Sequence, residues 1–309
     1  MAVGEIITAA RYNSMQAKAI AVLGNGSGNL GYGQRPVSTT VATTNTVNAL
    51  HMQNLKSDLE KAYVHQTGSL PTLTSIVASA DEITDTVYAQ YENISTFVYA
   101  EINRFALDSS QATVENKLSS QRTSAWGGAS QPQTVRHEFT VTFTGGYTVI
   151  NSDGTSGTAT AADHRRHFFN SGGEIRIVPS ISSPPSSTSK FIDWQNLLQS
   201  IGTLRFNYTT VTASSGISSS LGNFDLTSTY QTLYTKSGTS VYTGNTFVVK
   251  AKGDQTSGVV TFLVEFTDDL SNNVDEPVEG TLLSSISQYR ATGSYVSVPS
   301  PAYQTIQSL

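Results

Sequence analysis

The segment around Gly172 and Gly173 restricts the fold of this chain most, because a helix signal stands directly before a strand signal. Thr160 lies three residues before Asp163, a spacing typical of the capping box that begins a helix. The two glycines tolerate positive φ and can end that helix without steric cost. Apolar and polar residues then alternate over Glu174–Val178, as in a strand with one buried face. We therefore expect a short helix that folds back sharply onto a strand.

The same order of signals, helix then glycine then strand, occurs again further along the chain. Helical spacing of apolar residues predicts a helix over about 190–201. Gly202 is expected to end it, and a strand is expected to begin at Leu204. The repetition indicates that both short helices cover one sheet.

Helical periodicity dominates residues 1–110. Helices are predicted over about 9–23, from a cap at Thr43 or Thr44 to about 63, and from a cap at Ser79 to about 105. The third begins with a capping box at Ser79 and Glu82 and carries an apolar stripe at spacings of three and four residues. The stripe comprises Ile83, Val87, Tyr91, Ile94, Val98, Ile102 and Phe105. A stripe of this length needs a packing partner, which the first two helices or a second copy of the chain can supply.

Strand patterns dominate the second half of the chain. They are found over 137–144, 230–235, 246–252, 259–267, 281–291 and 295–298. Short strands separated by regular turns favour a sandwich or an open barrel. The predicted fold class is α+β, with a helical docking or oligomerisation region followed by a β-rich domain. The predicted boundaries are 1–110 for the helical region, 111–133 for a linker, 134–300 for the β-rich domain and 301–309 for a tail.

The composition fits a β-rich protein whose surface is polar but uncharged, or is largely covered by neighbours. Charged residues make up 13% of the 309 residues, about half of the usual share, whereas hydrophobic residues make up 38%. The 12 Phe and 14 Tyr residues are enough to build a core. Because the net charge is −5, no basic stripe is available to neutralise phosphates. We therefore do not expect a nucleic-acid partner.

The sequence has no cysteine and no predicted signal peptide. Without cysteine there is neither a disulfide framework nor a thiolate metal site. Residues 1–20 lack a basic start followed by an apolar run, so no signal peptide is predicted. No apolar run approaches the roughly 20 residues that span a bilayer. We expect synthesis in the cytoplasm and no membrane partner.

Two groups of side chains are candidate metal ligands. Asp163, His164 and His167 share one predicted helix, with the two imidazoles three residues apart. The alternative is that His167 caps the end of the helix and His164 faces solvent or a neighbour. A second candidate, for calcium, comprises Asp269, Asn273 and Asp275, which alternate beside Asp268 and Ser271. There Val274 stands where a calcium loop needs Gly and Gly280 where it needs Glu, so an acidic surface turn is the default.

No catalytic or cofactor-binding residue is predicted. The glycine-rich run Gly24–Gly33 lacks the Gly-Lys-Ser/Thr ending of a phosphate loop and follows no strand, so a tightly folded or flexible contact loop is expected. No serine lies in a Gly-x-Ser-x-Gly turn, and nothing singles out two glutamates as a glycosidase pair. We therefore expect that the chain is not an enzyme and binds no cofactor.

The two tryptophans are expected to differ in exposure. Trp194 lies on the apolar face of its predicted helix and is expected in the core. Trp126 lies beside two glycines in the predicted linker and is the candidate for an exposed contact, for example with a sugar.

The run Arg166–Arg176, which contains Phe-Phe-Asn-Ser-Gly-Gly-Glu-Ile-Arg, resembles a family of virion structural proteins of tailed bacteriophages, notably contractile-tailed phages of marine cyanobacteria. Other segments are similar to the same family: Tyr12-Asn13, Gly24–Gln34, His65–Gly68, Trp194–Asn207 and Asp275–Thr281. The resemblance implies a place in a virus particle and supplies no catalytic residue.

The expected function is therefore that of a non-enzymatic structural component of a virion, in the tail, neck, baseplate or an attached fibre. The expected partners are other virion proteins and copies of the same chain. One alternative is a receptor-binding module that recognises glycan on the host surface through the β-rich half. Another is a capsid-surface or decoration protein.

Overall fold

A computed structural model describes residues 8–76, 84–105, 110–182, 188–270 and 276–308 of the chain. The α-helices are α1 Ala9–Leu23, α2 Ala49–Thr67, α3 Asp85–Ala100, α4 Ala161–Asn170 and α5 Ser189–Ile201, and two short 3₁₀ helices span Asn223–Asp225 and Ser240–Tyr242. The strands are β1 Ala112–Arg122, β2 Thr134–Thr142, β3 Thr148–Ile150, β4 Ser156–Thr158, β5 Glu174–Ile181, β6 Leu204–Phe206, β7 Val211–Thr212, β8 Ile217–Ser218, β9 Gln231–Ser237, β10 Thr246–Lys252, β11 Val259–Thr267, β12 Leu282–Ala291 and β13 Ala302–Ser308. The predicted α+β class is confirmed.

The chain forms two compact units, each built from separate segments. The helical unit comprises residues 1–113, 144–173 and 290–300. The sandwich unit comprises residues 114–143, 174–289 and 301–309. The predicted boundaries are therefore wrong, because they assumed that each region is one continuous stretch.

In the helical unit, α1 packs against both α2 and α3. The predicted bounds of α1 are those observed, and Thr8 caps it by accepting a hydrogen bond from the Arg11 N–H. The predicted start of α2 at 43 or 44 is wrong. The Asn48 side chain accepts a hydrogen bond from the His51 N–H, and the His51 ring accepts one from the Asn48 N–H. This capping box fixes the start of α2 at Ala49.

The apolar stripe of α3 is rotated relative to the prediction. Ser79, Glu82 and Ile83 lie outside the described residues, and the described helix begins after its cap Thr84 and ends at Ala100. Its buried side chains are Tyr88, Tyr91, Ser95 and Val98. Ile102 is buried beyond the end of the helix, whereas Val87, Ile94 and Phe105 are half-buried. Because α3 packs on α1 and α2, the partner of the stripe is supplied within the chain.

The sandwich unit contains two antiparallel sheets. One has the strand order β1-β12-β5-β6-β7 and the other β13-β2-β11-β10-β9-β8. Aromatic rings join their inner faces, since the Phe262 ring lies 5.2 Å from both Phe139 and Phe206. The alternation predicted around β2 is confirmed by the burial of Val135, His137, Phe139, Val141 and Phe143. The sequence left a sandwich or an open barrel as alternatives, and the two sheets correspond to the sandwich.

Two segments predicted to be irregular are edge strands. The predicted linker 111–133 contains the eleven-residue strand β1, and the predicted tail 301–309 contains β13, paired with β2. Both were missed because most of their described side chains are exposed or half-buried and show no clear apolar alternation. The predicted strand 295–298 is reduced to one isolated bridge, between Thr292 and Ser297.

Only one of the two short central helices belongs to the sandwich unit. Helix α5 packs on β5, as predicted. Helix α4 belongs to the helical unit, as does the small β3-β4 hairpin that precedes it. The prediction that α4 and α5 cover one sheet together is therefore not confirmed.

Candidate functional sites

Helix α4 begins with the capping box that the sequence predicts. The Thr160 hydroxyl oxygen accepts a hydrogen bond from the Asp163 N–H at 3.1 Å, and Asp163 accepts one from the Thr160 N–H at 2.9 Å. Asp163 also lies 2.7 Å from the Arg166 guanidinium. Burial alone would raise the pKa of Asp163, but the hydrogen bonds from Thr160 and the charge of Arg166 hold that pKa below its usual value. This carboxylate is engaged in starting the helix.

His164 is fully buried and both of its ring nitrogens have partners. Its Nδ1 accepts hydrogen bonds from the Thr144 and Gly145 N–H groups at 3.2 and 3.3 Å. Its Nε2 lies 2.9 Å from the Pro299 carbonyl oxygen and donates to it. Burial lowers the pKa of His164, and a second ring proton would face two N–H donors. The expected exposure of His164 to solvent or a neighbour is wrong.

His167 is also buried, and its side chain binds the backbone of a neighbouring loop. Its Nε2 donates to the Asn25 carbonyl oxygen at 2.8 Å, and its Nδ1 accepts from the Tyr147 hydroxyl at 2.6 Å. Burial lowers the pKa of His167 to about 4. The alternative interpretation, in which His167 caps the end of α4, is therefore wrong, because both ring nitrogens are directed to other partners.

These contacts remove the basis of the first candidate metal site. The nitrogens of His164 and His167 already bind backbone or hydroxyl groups, so neither presents a lone pair to a shared ion. Within the described ranges, no group of three or more His, Asp or Glu side chains is arranged to hold a metal ion.

The glycine-rich run Gly24–Gly33 is a tightly folded loop against α4. The Arg166 guanidinium donates to the Asn25 carbonyl at 2.8 Å and to the Leu30 carbonyl at 3.1 Å. Gly33 has φ 68°, and a Cβ there would overlap the His167 ring. The backbone carbonyls of the loop thus face cationic and N–H groups of α4, which fits the expected contact loop.

The glycine turn after α4 has a steric cause. Gly172 has φ 85°, and a Cβ at this position would overlap the Phe105 ring. Gly173 has no positive φ, but a Cβ there would overlap Phe168. Gly202, which ends α5, has φ 64°. Two of the three predicted turn glycines therefore need positive φ, and Gly173 needs only space.

The calcium candidate is only partly described. Asn273 and Asp275 lie outside the described residues, as does Ser271. The Asp269 N–H donates to the Asn245 side chain at 2.8 Å. Asp268 is buried, with 3% of its surface exposed, so it is not part of an acidic surface turn.

Trp126 is buried, and its predicted exposure is wrong. Its backbone pairs with Val278 in an isolated bridge, and its ring centroid lies 4.8 Å from that of Trp194. Both rings also lie near Phe266. The neighbouring glycines suggested a flexible linker, but Gly127 with φ 72° allows the chain to turn close to Asp268.

One serine–histidine pair has the spacing of a nucleophile and a base. His137 Nδ1 lies 2.9 Å from the Ser284 hydroxyl oxygen. Both side chains are fully buried between the sheets, and burial lowers the pKa of His137 to about 4. Because no substrate can reach the hydroxyl, this pair is a core hydrogen bond.

The most unusual polar contact of the sandwich unit has no clear signal in the sequence. Lys190 Nζ lies 2.9 Å from Asp268 Oδ2, and the two side chains are 1% and 0% exposed. The residues are 78 positions apart. Only the position of Lys190 in the first turn of α5, next to apolar Phe191, hinted at its burial.

Comparisons with known proteins add no relative. No family model, no curated protein and no solved structure matches the chain. Across the residues that the structure describes, no helix has the length and apolar character needed to cross a membrane.

Proposed function

We propose that this chain is a non-enzymatic structural component of a tailed-phage virion, in the tail, neck, baseplate or an attached fibre. The resemblance of its sequence segments to such proteins motivates the proposal. The observation that carries it concerns three of those segments, which meet in the helical unit.

The three segments are Gly24–Gln34, His65–Gly68 and the run that begins at Arg166. His167 Nε2 donates to the carbonyl oxygen of Asn25 in the first segment at 2.8 Å. His65 Nε2 lies 3.1 Å from the Ser171 carbonyl oxygen, which joins the second segment to the third.

A further bond joins the first two segments, because Gln66 donates to the Tyr32 hydroxyl at 2.9 Å. The Tyr32 hydroxyl in turn donates to the Ile102 carbonyl at 2.6 Å. The residues that carry the resemblance therefore form a network that holds irregular backbone in place. Such a role suits a structural protein, since it uses polar side chains to support the backbone.

Assembly through a sheet edge is consistent with this function. Within the described residues, β13 is an outer strand of the six-stranded sheet, paired on one side with β2. Its sequence, Ala-Tyr-Gln-Thr-Ile-Gln-Ser, has no charged side chain and no proline, which are two of the features that commonly protect an edge. An extended strand of a neighbouring virion protein or of a second copy can add to such an edge.

The glycan-binding alternative loses its main support. It rested on an exposed Trp126, and this side chain is buried. No specific observation therefore favours that alternative over a structural role.

Localisation of the chain in purified particles tests the proposal. Peptides of this chain are expected in particles purified through a density gradient, and cryo-electron microscopy of these particles is expected to show its two units in the tail, neck or baseplate. Absence of the chain from infectious particles would contradict the proposal. Density on the capsid surface would replace it by the decoration alternative.

A further inference from the structure

The buried pair of Lys190 and Asp268 calls for an explanation beyond stability. Besides the contact of 2.9 Å with Asp268, Lys190 Nζ donates to the Gly127 carbonyl at 2.9 Å. Transferring two charges from water into a protein interior costs several kcal/mol per ion, and replacing such a pair by apolar residues is often stabilising. A contribution to stability alone therefore does not explain why this pair is buried.

The pair lies in apolar surroundings. The rings of Trp126 and Trp194 are fully buried, and Trp194 Nε1 donates to Asp268 Oδ1 at 3.4 Å. Burial raises the pKa of the Asp268 carboxyl even though Lys190 lies beside it. In such an apolar environment, transfer of a proton from the ammonium to the carboxylate removes both charges and leaves a free amine.

A third group completes the cluster. The Asn245 side chain is fully buried, and its Oδ1 accepts a hydrogen bond from the Asp269 N–H at 2.8 Å. The Asn245 side-chain amide interacts with the Asp268 carboxyl and acts to lower the pKa of that carboxyl. The amide nitrogen, Nδ2, makes no hydrogen bond of good geometry with any described residue. Asp268 is thus a neighbour of both an amine and a carboxamide, and an N–H group polarises the carbonyl of that carboxamide.

We infer that Lys190 Nζ and Asn245 Cγ become joined by an amide bond within the sandwich unit, with Asp268 as the group that transfers the proton. Lysine amines act as nucleophiles in proteins once they are desolvated and deprotonated.

The reaction balances without any further reactant. Asp268 takes a proton from the Lys190 ammonium, and the nitrogen lone pair attacks Asn245 Cγ. The carbonyl electron pair moves onto Oδ1, where the Asp269 N–H stabilises the negative charge. When this intermediate collapses, Asp268 returns its proton to Nδ2 and the bond from Cγ to Nδ2 breaks. The second proton of the attacking nitrogen passes to the departing ammonia. One C–N bond forms and one breaks, ammonium leaves, Asp268 is again ionised, and nothing is oxidised or reduced.

The bond would fix the first turn of α5 to the segment that precedes β10. It closes a covalent loop from residue 190 to residue 245 and restricts the unfolded chain, as a disulfide of similar span does. The chain has no cysteine, so this is a cross-link that does not depend on redox conditions.

Mass spectrometry of the intact, denatured protein tests the inference directly. The purified chain is expected to be lighter than its sequence by one ammonia. Protease digestion is expected to give one branched peptide that joins the segments containing Lys190 and Asn245. A mass equal to that of the sequence would overturn the inference. Loss of one water would also overturn it, because the acceptor would then be the Asp268 carboxyl.

Substitutions test the assigned roles. Lys190→Arg keeps a positive charge beside Asp268 but removes the amine nucleophile, and Asp268→Asn removes the proton carrier. Both variants are expected to have the full mass. Lys61→Arg is the matched control, since Lys61 pairs with Asp58 at 3.3 Å in the helical unit and should leave the ammonia loss unchanged. Persistence of the loss in Lys190→Arg would contradict the assignment, and the branched peptide of the wild type decides the question even if a variant fails to fold.

Discussion

The helical unit and the sandwich unit satisfy their backbone groups in different ways. In the helical unit, long irregular segments run beside the helices, and polar side chains bind their backbone. Buried Asp58, for example, accepts hydrogen bonds from the N–H groups of Val37 and Ser38 at 2.7–3.0 Å. In the sandwich unit, neighbouring strands satisfy each other, and the inner side chains are free to be aromatic, such as Phe139 and Phe262.

The difference shows where polar residues must be buried. A backbone N–H or C=O that is removed from water needs a partner, and outside helices and sheets that partner is a side chain. The helical unit therefore contains three buried histidines, His65, His164 and His167, whereas the sandwich unit contains His137 alone among the described residues. The two units should respond differently to acid, to core truncation and to changes in turn residues.

Acidification should have the largest effect and should act mainly on the helical unit. Unfolded histidine titrates near pH 6.5, whereas burial lowers the pKa of His65 and of His167 to about 4. Between these values the unfolded chain binds more protons, so the free energy of unfolding is complete above pH 6.5 and falls as the pH falls towards 4. The loss is on the order of 5 kcal/mol for the two residues together.

Hydrogen exchange of backbone amides at pH 7 and pH 4.5, corrected for intrinsic rates, resolves the two units. Protection in α1, α2 and α4 should fall more than protection in β10 and β11. An equal loss in both units would show that the buried histidines do not distinguish them.

Truncation of an aromatic core residue should destabilise the sandwich unit more than the helical unit, which is the reverse of the effect of acid. Phe262→Ala removes a ring that lies between Phe139 and Phe206, and it is expected to cost about 3–5 kcal/mol. Leu263→Ala, one position along the same strand on the half-buried face, is the control and should cost less than half as much. Chemical denaturation monitored by exchange in β10 and β11 measures both. Similar losses would mean that the aromatic core does not dominate the sandwich.

Substitution at the glycine turn separates backbone strain from crowding. Gly172→Val meets both a φ of 85° and the Phe105 ring, so a loss of about 2–3 kcal/mol is expected. Gly146→Val is the control, because Gly146 has φ 84° but a Cβ there would meet no atom within 4 Å, and it should lose only the strain component. Unchanged melting of Gly172→Val would show that the turn is not required for the fold.

The smallest expected effect concerns a single hydroxyl. Tyr147→Phe removes the donor to His167 Nδ1 and leaves this buried nitrogen without its observed partner. The expected cost is about 1–2 kcal/mol. Thr155→Val, at an exposed bond in the same hairpin region, should cost less. Thermal unfolding followed by circular dichroism compares the two variants, and a stable Tyr147→Phe protein would indicate that the polar network tolerates gaps.

Local patterns in the sequence predicted the regular elements well. The bounds of α1, β10 and β11 and the capping box of Thr160 and Asp163 follow from periodicity and cap chemistry, which depend on neighbouring residues. The edge strands β1 and β13 escaped prediction because most of their described side chains are exposed or half-buried and do not alternate clearly between apolar and polar.

Long-range contacts could not be predicted in the same way. Nothing near Trp126 indicates that Trp194 and Phe266 cover it, and nothing near Lys190 indicates Asp268. The pairing of His164 with the Pro299 carbonyl is likewise a product of the tertiary fold. A residue's type and immediate neighbours fix its local conformation, but its partners depend on how distant segments meet.

The division of the chain into alternating segments has a consequence for its synthesis. The path enters and leaves each unit repeatedly, and residues 290–300 belong to the helical unit while residues 301–309 belong to the sandwich unit. A ribosome that has made about 280 residues has therefore delivered neither unit in full. Both must wait for the same late stretch of translation, during which the nascent polypeptide depends on chaperones or on its own partial order to avoid premature association.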